Sequence, residues 1–78
     1  VAVYRGWADP MAPPDHVVAL GEELTRRKAD WYLTGYGHAV HAFTREDADD
    51  RDSGIAYDAH ADRRSWRDFT GLLEEALA

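Results

Sequence analysis

Trp31-Tyr32-Leu33-Thr34-Gly35-Tyr36 is the stretch on which the architecture turns. It is dense in aromatic and β-branched residues, follows Asp30, and reads as a strand. Immediately upstream, from Pro14 or Asp15 to about Lys28, the pattern changes to that of a helix. Val17, Leu20 and Leu24 recur at helical spacing as one apolar stripe with one buried face. A proline in the first turn, Asp15 beside it and Arg26-Arg27-Lys28 at the far end all suit the helix dipole. Further upstream lies Val1-Ala2-Val3-Tyr4, a short apolar run that does not alternate with polar residues. Such a run reads as a buried strand. Gly6 to Pro14 is a loop, punctuated by Pro10, Pro13 and Pro14.

Downstream, Gly37 to Phe43 follows the second strand, and Thr44 to Ser53 is polar and acidic, the signature of a solvated loop. A closing helix runs from about Asp58 to the end. Trp66, Phe69, Leu73, Ala76 and Leu77 form its apolar face. The order is strand, loop, helix, strand, loop, helix, which makes a parallel pair with crossover helices and an α/β class. A two-stranded parallel sheet is marginal by itself. It leaves a strand edge unpaired and, on this reading, one sheet face bare. The chain is therefore expected to be a fragment that assembles with something further.

Composition narrows the functional classes. The 78 residues allow one domain at most. With no cysteine there is no disulfide, thiolate zinc site or thiol nucleophile among them. A net charge of −6 disfavours nucleic acid and anionic membrane surfaces as partners. No run approaches a membrane span, and the first residues lack a signal peptide's basic start, so a cytoplasmic location is the expectation.

Asp9 closes the first strand's turn, and His41 follows the second strand. In parallel α/β sheets the C-terminal strand ends line the ligand crevice, so the two are expected at the same edge. There a carboxylate can accept the imidazole Nδ1–H and leave Nε2 free as a general base. The spacing is equally compatible with Asp9 capping its own turn and His41 being an ordinary loop histidine.

Val3-Tyr4-Arg5-Gly6-Trp7-Ala8-Asp9-Pro10, Pro13-Pro14 and Tyr36-Gly37-His38-Ala39-Val40-His41-Ala42-Phe43-Thr44 resemble the C-terminal part of the dienelactone hydrolase family. Ala56-Tyr57-Asp58-Ala59 and Ala61-Asp62-Arg63-Arg64-Ser65-Trp66 resemble its closing-helix motif. The resemblance implies that residues 1–78 are the C-terminal βαβα portion of an α/β-hydrolase domain. It implies that Asp9 is the acid and His41 the base of a Cys/Ser-His-Asp catalytic triad, and that Arg45 binds a substrate carboxylate. It further implies an esterase or (dien)lactone hydrolase acting on a small-molecule substrate, with no cofactor. Arg5 departs from the family's usual His before the Gly and is expected to leave the triad alone; His38 stands where Gly is more usual and could crowd His41 or titrate against it. The larger departure is the nucleophile. Neither Ser53 nor Ser65 sits in a G-x-S-x-G turn, so the nucleophile is expected in an N-terminal part absent from these residues, and the isolated chain is expected to be inactive.

The rival readings are weaker. His38-x-x-His41 supplies two imidazoles but no third ligand from a stable element, so no metal is expected. The run from Asp47 fails the calcium-loop template, because Arg51 and Asp52 stand at its fifth and sixth positions. Trp31, Tyr32, Trp66 and Phe69 are expected in core packing rather than in a ligand box. The alternative of a different class is a non-catalytic remnant or interaction module that binds a partner through its exposed sheet edge.

Overall fold

A computed structural model describes residues 1–78. Strand β1 (Ala2–Gly6) is followed by helix α1 (Pro14–Arg26) and strand β2 (Tyr32–Tyr36). Two short strands come next, β3 (Asp49–Asp50) and β4 (Ile55–Ala56), and helix α2 (Ala59–Leu77) closes the chain. β1 and β2 pair in parallel, with Ala2 opposite Tyr32 and Gly6 opposite Tyr36. The strand–helix–strand crossover expected from the sequence is therefore present.

Side-chain alternation along the two strands assigns one helix to each face. Val3, Arg5 and Leu33 share a hollow with Val17 and Leu20 of α1. On the other face Tyr36 Oη donates to Asp68 Oδ2 of α2 at 2.6 Å, and Tyr4 Oη donates to the Asp68 carbonyl at 3.3 Å. The face expected to be bare is thus covered in part, with Tyr32 left exposed, and the outer edges of the two-stranded sheet are open.

Local signals set the helix ends. Pro14 occupies the first turn of α1 and Asp15 sits beside it. At the other end Lys28 N–H donates to the Thr25 carbonyl and Ala29 N–H to that of Leu24, with Lys28 in the left-handed region at φ 59°. This is the Schellman closure, made with lysine where glycine is usual. Asp58 caps α2, its Oδ1 accepting from Ala61 N–H at 3.0 Å.

Burial departs from the sequence expectation in a consistent way. β1 is half-buried up to Arg5 rather than buried, and Leu20 on the α1 stripe is 39% exposed. The buried residue of α1 is Gly21, over which the Trp31 indole lies. Trp66 is 58% exposed, and Tyr32 and Phe69 are exposed as well, so the aromatic core placed there by sequence is not realised within this chain. Two strands are too narrow to cover two helices. The buried cluster forms instead at the C-terminal strand ends, from Tyr36, Ala39, Phe43 and Ala61, with Tyr4 packed against it.

The polar run is exposed, as expected, but it is not all loop. Asp49–Asp50 pairs antiparallel with Ile55–Ala56 around a 3-10 turn at Arg51–Ser53. Gly54 closes that turn at φ 76°, and a Cβ there would meet Pro10 Cγ. The hairpin therefore presses on the loop that follows β1. No helix is long and apolar enough to cross a membrane.

Candidate active site

The chain leaves β1 through Gly6, where an added Cβ would lie 2.7 Å from the Ala39 carbonyl oxygen and 2.8 Å from that of Val40. Only glycine admits this approach. It allows Trp7 N–H to donate to the Tyr36 carbonyl and Ala8 N–H to the Ala39 carbonyl, both at 3.0 Å. The segments after β1 and β2 are thereby held side by side beyond the strands proper.

Asp9 then turns the chain. Its Oδ1 accepts from Met11 N–H at 2.8 Å, a local turn cap, while its Oδ2 faces His41 Nδ1 at 3.1 Å. The two roles left open by the sequence, turn cap and histidine partner, are filled at once by different oxygens of one carboxylate. His41 is fixed by its backbone. Its N–H donates to the Gly54 carbonyl at 2.9 Å, and its carbonyl accepts from Ala56 N–H at 3.2 Å. Ala42, the next residue, has φ 60°, a conformation costing roughly 1–2 kcal/mol for a residue with a Cβ. The strained step lies directly beside the imidazole, where such strain tends to gather at working sites.

Exposure differs between the partners. The Asp9 side chain is 17% exposed and that of His41 44% exposed. The carboxylate is sheltered while the imidazole meets solvent. With Nδ1–H given to Asp9, the ring carries its lone pair on Nε2, the form a general base requires.

The remaining sequence candidates make no hydrogen bond to this pair. Arg45 forks onto Asp47, with Nε–Oδ1 at 3.2 Å and Nη2–Oδ2 at 3.0 Å, and holds that carboxyl below its ordinary pKa. Both side chains are exposed, so water and salt screen the pair strongly. His38 lines a separate hollow of about 450 Å³ with Asp58, His60 and Arg64. Ser65 Oγ donates to the Asp62 carbonyl within α2, and Ser53 sits in the exposed 3-10 turn. No three His, Asp or Glu side chains gather as a metal would need. The largest hollow, about 730 Å³, is a trench between α1 and Trp31 and Leu33. It touches neither Asp9 nor His41.

The sequence reading missed two supports. One is the Gly54–Ala56 backbone that clamps His41, signalled only by a glycine after a polar run. The other is Arg5, whose Nη2 reaches the carbonyls of Gly6 at 3.0 Å, Trp7 at 3.3 Å and Ala12 at 2.6 Å.

Comparison with known proteins gives the chain its family and fold. The profile of the Dienelactone hydrolase family matches residues 1–77. The uncharacterized protein K02A2.1 of Caenorhabditis elegans is 38% identical over 79 residues, covering 100% of this chain and 50% of that protein. A dienelactone hydrolase-like promiscuous phosphotriesterase from metagenomic libraries superimposes with a TM-score of 0.85 at 35% identity, covering 95% of this chain and 32% of its own. A solved structure named m3DLH gives 0.87 at 36% identity, covering 96% and 32%. The chain thus spans half the length of its curated relative and about a third of the two solved chains. Its parallel strand pair and helices are part of an α/β-hydrolase fold.

Proposed function

Since the chain belongs to the dienelactone hydrolase family, we propose that it supplies the acid and base of a hydrolase acting on carboxylic esters or lactones. The observation that carries this reading is the 3.1 Å approach of Asp9 Oδ2 to His41 Nδ1 from the ends of adjacent parallel strands.

The nucleophile is a Cys or Ser on a G-x-C-x-G or G-x-S-x-G turn, which these residues do not contain. His41 Nε2 takes its proton as it attacks the carbonyl carbon. Asp9 keeps the proton on Nδ1 and supports the imidazolium that forms. When the tetrahedral intermediate collapses, His41 returns the proton to the departing alkoxide and leaves an acyl-enzyme. His41 then deprotonates the water that attacks the acyl carbon and returns that proton to the nucleophile as the acid leaves. Arg45 exchanges Asp47 for the carboxylate of an acidic substrate. None of these steps calls for a cofactor.

The test uses the polypeptide that carries these residues together with such a turn, with p-nitrophenyl acetate as substrate. His41→Ala is expected to lower kcat by at least about a hundredfold with KM little changed. Near-normal turnover in that variant would sink the assignment. A second substrate class, phosphotriesters, is suggested by the neighbour described as a promiscuous phosphotriesterase. The same variant assayed on diethyl p-nitrophenyl phosphate separates a shared base from an unrelated activity. The competing non-catalytic role would rest on the open sheet edges and exposed Trp66. It predicts no ester turnover before any substitution is made.

A further inference from the structure

We infer that Arg5 is a positioning residue for the acid–base pair: its guanidinium clasps the loop that carries Asp9 and thereby sets the distance from Asp9 to His41. The inference rests on the reading of those two residues given above.

The loop from Gly6 to Ala12 has two limbs. The incoming limb is tied to the β2 side by the Trp7 and Ala8 N–H groups. The outgoing limb has no comparable backbone tie. Pro10 has no N–H, Met11 N–H goes to the Asp9 side chain, and Ala12 N–H goes to the Asp9 carbonyl at 3.3 Å. These are local bonds that travel with Asp9 and cannot fix it. The hydrogen bond that joins the outgoing limb to the sheet is Arg5 Nη2 to the Ala12 carbonyl, the shortest of the three at 2.6 Å. The same nitrogen reaches the Gly6 and Trp7 carbonyls, its two N–H groups shared among three acceptors, so one amino group bridges both limbs. The Gly6 carbonyl is shared, since it also accepts from Asp9 N–H at 3.2 Å.

The guanidinium is held in turn. Its Cζ lies 5.6 Å from the centre of the Trp7 ring, within cation–π range, and that ring packs beside Gly35 of β2. Arg5 Nε is buried with no partner, a costly placement for a donor. Lysine ends one bond earlier, its Nζ falling where arginine has Cζ, so it does not reach the Ala12 carbonyl as Nη2 does.

The test compares Arg5→Lys and Arg5→Met with the unsubstituted polypeptide that contains the nucleophile turn, beside His41→Ala as the control on the parent reading. Three readouts are taken: kcat and KM on p-nitrophenyl acetate, rescue by added guanidinium, and the proton resonance of His41 Nδ1–H. Arg5→Lys is expected to lower kcat roughly tenfold to a hundredfold with KM within twofold, as a misplaced catalytic group does. The Nδ1–H resonance is expected to move upfield as the bond to Asp9 lengthens, and guanidinium to restore part of kcat in Arg5→Met. If Arg5→Met does not fold, Arg5→Lys alone carries the comparison. An inactive His41→Ala beside an Arg5→Lys with unchanged kcat and Nδ1–H resonance overturns the positioning role and leaves the acid–base assignment standing. An active His41→Ala overturns both.

Discussion

Replacing Gly6 by alanine tests the packing that brings Asp9 and His41 together. The added Cβ would lie 2.7 Å from the Ala39 carbonyl oxygen, 2.8 Å from that of Val40 and 2.9 Å from the Ala39 carbonyl carbon. All three are backbone atoms, so no side chain can swing aside. To regain ordinary contact the 39–40 segment must retreat by roughly 0.5–1 Å. That movement stretches the 3.0 Å bond from Ala8 N–H to the Ala39 carbonyl, and His41 lies two residues further along the displaced segment. Overpacking of this kind costs about 1–3 kcal/mol. A shift approaching 1 Å between Asp9 and His41 is expected to lower kcat by up to about a hundredfold. Urea denaturation reads the first quantity and ester turnover, in the polypeptide that carries the nucleophile, reads the second. Gly37→Ala is the matched control, because a Cβ there meets nothing within 4 Å. Should Gly6→Ala match Gly37→Ala in both measurements, the argument that this close approach sets the site is wrong.

Three further outcomes are expected. Asp58→Ala removes the cap on Ala61 N–H and is expected to lower stability by about 1 kcal/mol, read as a lower urea midpoint; no change would mean the cap is idle. Lys28→Gly relieves a left-handed residue at the end of α1 and is expected to raise stability by up to about 1 kcal/mol, with loss of stability as the contrary result. Burial, then the bond to Asp68, raises the Tyr36 phenol above its ordinary pKa; the bond to Tyr32, then desolvation, pushes Tyr4 up to about 12. Both contributions are therefore fully present below the unfolded value of about 10 and are lost as pH rises above it. Stability measured from pH 9 to 11.5 should fall, and less steeply in Tyr36→Phe; a flat profile would contradict the assignment.

The parts of the fold that could be read from sequence are those written locally. Pro14 with Asp15, the strand formers from Trp31 to Tyr36, and Asp58 ahead of an apolar period each declare an element within a few residues. Asp9 and His41 could be paired because strand order alone brings their segments to one edge. What escaped was non-local. Asp49 and Asp50 are poor strand formers, and they pair only because Ile55 and Ala56 return beside them after the tight turn closed by Gly54. Trp66 and Phe69 mark which side of α2 is apolar, yet periodicity says nothing of how much sheet lies there to cover it. Arg5 stood out in the sequence only as a departure from the family's usual His, and only the fold reveals the three carbonyls within its reach.

The contact between Asp9 and His41 closes inside a single strand–helix–strand crossover and the turn that follows it. A recombination event on the N-terminal side of β1 would hand Asp9 and His41 to a new partner already in register. Exchange of thiol for hydroxyl in the nucleophile-bearing segment would likewise leave this pair untouched. On the proposed function, the triad would divide into one unit carried by these residues and one nucleophile carried elsewhere, so that reactivity would change in one part while proton transfer stays with the other.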